Sequence, residues 1–131
     1  MVLIGKTEFE EFTPQVEASL VAAVVEIATE KPDFKYRPPF EHDDACYYEV
    51  AGQPSCIIGR GFSKIGFTGR ELKAFDDCGQ SNAESILLAL GASEHVARWA
   101  QAVQEMQDCG KLWGEALFTA DQTHGRPEVK A

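Results

Sequence analysis

The chain has 131 residues, 44% of them hydrophobic and 25% charged, with 12 basic against 21 acidic side chains. This composition excludes a disordered tail and fits one domain over residues 1–131, large enough to bury a core. The longest apolar run, Leu20 to Val25, stops at Glu26 and is too short to span a membrane.

The N-terminus MVLIGKTEFEEF has no basic stretch ahead of a long apolar one, so the sequence predicts a cytoplasmic protein without a signal peptide. Val2-Leu3-Ile4 reads as a strand pairing with a later one at Cys46 to Val50, or as part of an arm or tail over 1–12. Thr13 and Pro14 read as an N-cap followed by proline at the first helical position. Behind them Val16, Leu20, Val24 and Ile27 recur at helical spacing, predicting a central helix over about 14–30 that Pro32 stops.

Residues 32–45 contain three prolines and no period, and predict a loop ordered by Phe34, Tyr36 and Phe40. Cys46 to Val50 alternates as a short strand does, closed by the turn residues Ala51 to Pro54. Pro54-Ser55 opens a second helix with Ile57, Ile58, Phe62 and Ile65 on its apolar side. Gly59 and Gly61 inside it predict close approach of a neighbouring backbone. Gly66 to Gly69 ends that helix, and Glu71 to Phe75 is too short to assign.

Ser81 and Glu84 form a capping-box pattern ahead of a helix through Ile86 to Leu90, closed by Gly91. Ser93 caps the next helix, with Val96, Trp99, Ala100, Val103 and Met106 as its stripe. Gly110 interrupts before Leu112, Trp113, Ala116, Leu117 and Ala120 resume, and 123–131 reads as a frayed tail. The fold class predicted is mainly α (α+β), a single domain of about four to five helices with a small strand or hairpin element.

Two segments carry a resemblance. Residues 48–59, YEVAGQPSCIIG, and 104–116, QEMQDCGKLWGEA, resemble small proteins of actinobacteriophages and some actinobacterial genomes. There a strand, turn and PSC-helix precede a QD-x-G-x-x-W-G-x-A pattern some fifty residues on. The resemblance covers roughly 46–120 and implies a phage-related, cytoplasmic origin; it brings no activity and no site residue.

The formal charge of −9 is uneven: −7 over residues 1–50, +3 over 51–75 and −5 over 76–131. Long-range repulsion of phosphates argues against direct nucleic-acid binding, although an acidic surface can mimic nucleic acid toward a basic protein. Arg60, Lys64, Arg70 and Lys73 are the local exception, a solvated flank or the face for one anion.

Cys46, Cys56, Cys78 and Cys109 show no CxxC spacing, and for an intracellular chain the expectation is four reduced thiols. Glu41-His42-Asp43-Asp44 clusters hard metal ligands on a loop, but neighbours in sequence seldom converge on one ion. No metal and no cofactor is expected. Cys56 in a first helical turn would be a stabilised thiolate, with His42 or His95 as its base, yet Ile57 and Ile58 beside it suit a buried thiol.

No catalytic constellation stands out, so a non-enzymatic binding protein leads: one that associates with a host or phage macromolecule and modulates it. The surface expected for that partner, or for self-association, is Arg98, Trp99, Gln104, Gln107, Asp108 and Trp113, although in a domain this small Trp99 and Trp113 are expected more as core than as partner surface. In that picture the row Gln101, Gln104, Gln107 and Asp108, beside Arg98, docks another helix or a second subunit. The alternative is a small-ligand protein or enzyme using Ser55 and Cys56 at a helix start, with Arg60 as anion anchor.

Overall fold

A computed structural model describes residues 1–37, 47–78 and 82–128. They form six helices and two small antiparallel hairpins, so the domain is mainly α with a minor strand element, as the sequence predicts. No described helix is long and apolar enough to cross a membrane.

Strands β1 (Val2–Ile4) and β2 (Thr7–Phe9) pair with each other, Leu3 opposite Glu8. The chain thus turns back on itself at Gly5 rather than sending its first strand to a later partner. Ile4 and Phe9 enter the core, while Leu3 faces out. Helix α1 (Pro14–Glu30) starts as predicted: Thr13 Oγ1 accepts from Val16 N–H at 3.2 Å, and Pro14 needs no donor there. Its inner stripe is Leu20, Val21, Ala23, Val24 and Ala28.

Strand β3 (Glu49–Val50) pairs with β4 (Gln53–Pro54) around Ala51 and Gly52, both at positive φ, the geometry of a tight two-residue hairpin. Cys46, predicted to open this strand, lies outside the described residues. Pro54 is therefore a strand residue and not the start of a helix. Helix α2 (Ile57–Lys64) begins three residues later with Cys56 as its N-cap. A Cβ on Gly59 would collide with the Tyr48 carbonyl, and one on Gly61 would lie 2.8 Å from Val24 Cγ2. Gly59 thus admits a neighbouring backbone, as the sequence predicts, whereas Gly61 makes room for α1 side chains, Val24 and Leu20.

Helix α3 (Gly69–Asp77) is an addition to the predicted elements, opened by a capping box between Thr68 and Glu71. Its signal was present in the sequence, but a two-residue apolar face, Leu72 and Phe75, is too little to show a period. Helix α4 (Ala83–Ala89) is capped by Asn82, whose Oδ1 accepts from Ser85 N–H at 2.8 Å. The expected cap Ser81 lies outside the described residues.

Helices α5 (Glu94–Asp108) and α6 (Trp113–His124) pack on each other, α4 also packs on α5, and α1 packs beside α2. The core joins Phe62, Phe75, Tyr48, Trp99 and Trp113 with the aliphatic stripes of every helix. The end of the chain departs from the frayed tail predicted for 123–131. Arg126 makes a two-pronged contact with Asp121, His95 Nε2 lies 2.8 Å from the Gly125 carbonyl, and Pro127 is buried. Residues 129–131 lie outside the described set.

Candidate anion-binding site

Three glutamines on one side of α5 point into the protein. Gln107 Oε1 accepts from Ile57 N–H at 2.8 Å and from the Trp113 indole at 3.1 Å. Gln104 Oε1 accepts from Ala83 N–H at 2.8 Å, while its amide donates to the Tyr48 hydroxyl at 2.8 Å. Gln101 Oε1 accepts from Glu84 N–H at 3.0 Å. Ile57, Ala83 and Glu84 are first-turn residues of α2 and α4, whose N–H groups lack helical acceptors. The row thus docks helices of this same chain.

That arrangement relocates the expected partner surface. Trp99 and Trp113 have 0% exposure, Gln104 2% and Gln107 1%, so four of the six residues named for it are core. Each is held: the Trp99 indole donates to Asp121 at 2.9 Å, and the others have the bonds just given. Arg98 is exposed and lies 3.6 Å from Glu94 one turn away. Asp108 is also exposed as a residue, but its carboxyl sits where burial pushes its pKa up to about 6. The Gln107 amide, donating at 3.1 Å, opposes that shift, and the charge of Glu105 adds to it.

The nucleophile reading of Cys56 is corrected as well. Cys56 is disulfide-bonded, with 0% exposure, and its sulfur caps α2 by accepting from Gly59 N–H. It has no thiolate to offer, and the expectation of four reduced thiols falls with it. Cys78 and Cys109 are thiols. The His95 ring nitrogen Nε2 is taken by the carbonyls of His124 and Gly125, while His42 and the cluster Glu41 to Asp44 lie outside the described residues. At the start of α2 two N–H groups are already taken, Ile57 by Gln107 and Gly59 by Cys56.

Arg60 is different. Its Nε donates to the Ser55 carbonyl at 2.8 Å, and its guanidinium lies 5.5 Å from the Phe34 ring centroid and 5.1 Å from that of Trp113. Ser55 is fixed in turn: its N–H donates to the Tyr48 carbonyl and its hydroxyl meets Tyr36 Oη at 2.8 Å. Burial raises the Tyr36 pKa despite that contact. Phe34 is fixed by its carbonyl, which accepts from Trp113 N–H at 2.9 Å. Arg60 is thus held by a hydrogen bond and two rings, half-buried, with no carboxylate among the described residues.

Other cations gather at the same end. Lys31 Nζ lies 5.9 Å from the Phe34 centroid, and the end of the Lys35 side chain lies against Gly110, next to Lys111. None of the three pairs with a described carboxylate. By contrast Lys64 pairs with Glu26 and Lys73 with Asp77, each at 2.8 Å, so two of the four bases Arg60, Lys64, Arg70 and Lys73 already have carboxylate partners. Of the Ser55, Cys56 and Arg60 trio, Ser55 and Arg60 are in contact, the Ser55 carbonyl accepting from Arg60 Nε at 2.8 Å. Sequence reasoning missed Phe34 and Lys31 here; the cost of exposing Phe34 was the one available hint.

Comparison with protein-family models, with curated proteins and with solved structures returns no match for this chain.

Proposed function

We propose that this protein is a non-catalytic binding protein that engages an anionic group on a partner macromolecule, through the end of the molecule that carries Arg60. The single observation behind this reading is the Arg60 guanidinium, fixed between Phe34 and Trp113 and without a carboxylate partner among the described residues. An arginine held this way has lost its side-chain freedom before any ligand arrives. Its remaining N–H groups suit a planar or tetrahedral oxyanion. The missing thiolate at Cys56 removes the main argument for chemistry.

Self-association through this end is the weaker option, since two copies at −9 each repel. Disulfides persist mainly in oxidising compartments, so the bond at Cys56 weighs against the reduced cytoplasm expected from the N-terminus. The test is affinity capture from a host lysate with the wild-type chain, Arg60→Gln and Arg98→Ala in parallel. The proposal expects a partner retained by wild type and Arg98→Ala, lost with Arg60→Gln, and released by raised salt. Equal capture by wild type and a folded Arg60→Gln variant would overturn it.

A further inference from the structure

We infer that a groove beside the β1–β2 hairpin is a docking surface for a partner-protein segment in which lysine or arginine alternates with apolar side chains. It shares no residue with the surroundings of Arg60 and stands or falls apart from them. A cavity of about 410 Å³ lies between the hairpin, the start of α1 and the loop after α2. Its apolar lining is Phe9, Phe12, Val16, Ile65 and Phe67. Phe9 and Phe12 are buried, while Val16, Ile65 and Phe67 are half-buried and form the surface that a ligand meets. The Phe9 and Phe12 ring centroids each lie 6.1 Å from that of Phe67, so the aromatic lining is continuous. Val16 and Ile65 also line a second cavity of about 480 Å³ along α1, and the groove extends into it.

The charge around this groove selects the occupant. In Glu8-Phe9-Glu10-Glu11-Phe12 the phenylalanines turn inward, and the three glutamates stay exposed at the cavity. None of these carboxylates has a hydrogen-bond or ion-pair partner among the described residues. Glu71 lines the cavity as a fourth, although it accepts from Thr68 N–H in the α3 cap. Opposing charge is sparse: Lys64 is paired with Glu26, Lys6 lines a different cavity with Asp77, and Arg70 adjoins Glu71 in sequence. The amino group of Met1, which also lines the cavity, offsets one carboxylate of the four. An anionic ligand is repelled here, and a neutral apolar one leaves the glutamates to repel each other. Among the described residues no three such ligands are placed to hold one metal ion, so the rim suits cations spread along a peptide. Lysine and arginine lay their methylenes on apolar surface while their heads reach carboxylates, and the apolar residues between them fill the lining. A second copy of this chain, at −9, is repelled from the same rim.

The experiment is a methyl NMR titration of the full chain, following Val16 and Ile65 in the groove, with fully buried Val103 as the internal control. The probes are a short peptide of alternating lysine and leucine, the same peptide with serine for leucine, the same with glutamate for lysine, and spermine. The inference expects saturable shifts of Val16 and Ile65, and not of Val103, with the lysine–leucine peptide. The serine version should bind about tenfold more weakly or less, and the glutamate version should cause no shift. Replacing the rim carboxylates together, Glu8→Gln, Glu10→Gln and Glu11→Gln, should lower affinity about tenfold. Removing the same charge from exposed positions outside the groove, Glu30→Gln, Glu94→Gln and Glu105→Gln, should lower it by less than about twofold. Equal loss with the two triple variants, or equal binding of the serine peptide, would overturn the inference, because charge alone would then account for binding. Spermine binding as tightly as the peptide would overturn it in favour of a small polyamine. Shifts of Val16 and Ile65 that grow with protein concentration alone would place a second copy in the groove and overturn it too. If no probe moves either methyl signal, the inference fails while the Arg60 reading stands.

Discussion

The side-chain carbonyl of Gln107, in the last turn of α5, accepts a hydrogen bond at 2.8 Å from Ile57 N–H, the first residue of α2. Fifty residues of chain separate the two, and both are buried. The same oxygen takes the Trp113 indole, so one amide ties α2, α5 and α6 together. Because Trp113 carries Arg60 on its face, the amide also sets where the cation sits.

Replacing Gln107 with alanine strands two buried donors, the Ile57 N–H and the Trp113 indole. Each unsatisfied donor costs about 1–3 kcal/mol, so the variant should lose about 3 kcal/mol in all. Urea unfolding of wild type and Gln107→Ala measures it. A loss below about 1 kcal/mol would mean that the helix ends find other partners.

Much of the scaffold was legible in the sequence, and the reasons are local. The Thr13-Pro14 start, the α1 stripe and the Ser93 cap act through residues three or four apart, so their patterns survive in a single chain. The glutamine row was legible as polar and helix-docking, but not as inward-facing. A polar residue looks the same in sequence whether water or a helix end satisfies it. The site suffers from the same blindness: Phe34, Arg60 and Trp113 meet only after three separate segments close on one another. Cys56 misled for a different reason, since its apolar neighbours predicted burial correctly and could not reveal a covalent bond.

Asp108 makes stability depend on pH in a direction opposite to that of a salt-bridged carboxylate. Its folded pKa of about 6 lies above the unfolded reference, so the native state holds the proton more tightly. Stability from this group is fully present below pH ~4 and is lost as pH rises through about 6. Asp76, also raised by burial although it accepts from Tyr48 and Glu49 N–H, acts in the same direction. The partial exposure of Asp108 keeps its share below what the full shift would give. Denaturation midpoints across that range should fall with rising pH in wild type and fall less in Asp108→Asn; parallel curves would remove Asp108 as the cause.

The bond at Cys56 gives a thiol count that differs from the composition. The sequence holds four cysteines, and a single disulfide leaves two thiols. Alkylation in denaturant without reductant should add two labels, and four after reduction. Cys109, exposed, should react in the native state ahead of half-buried Cys78, whose sulfur contacts the Phe75 carbonyl at 3.1 Å. Four labels without reductant, from protein isolated without added reductant, would contradict the disulfide.

Ala51 holds φ at +53°, the one described residue other than glycine on that side of the backbone map. Its methyl group meets the following carbonyl there, at a cost of about 1–2 kcal/mol that asparagine or glycine partly avoids. The position cannot relax on its own. Gly52, the second turn residue at φ +83°, has its carbonyl pressed against α3, where a Cβ on Gly69 would come within 2.6 Å of it. The turn is therefore clamped between Glu49, whose carboxylate takes Gly52 N–H at 2.6 Å, and the start of α3. Ala51→Asn should relieve the strain without disturbing either contact and raise Tm by about 2–4 °C. Ala51→Gly should gain less, since glycine also loosens the unfolded chain. Ala51→Val should lower Tm, because branching at Cβ worsens the same clash. An unchanged Tm for all three, measured by thermal unfolding, would show that the turn adopts a different conformation in solution.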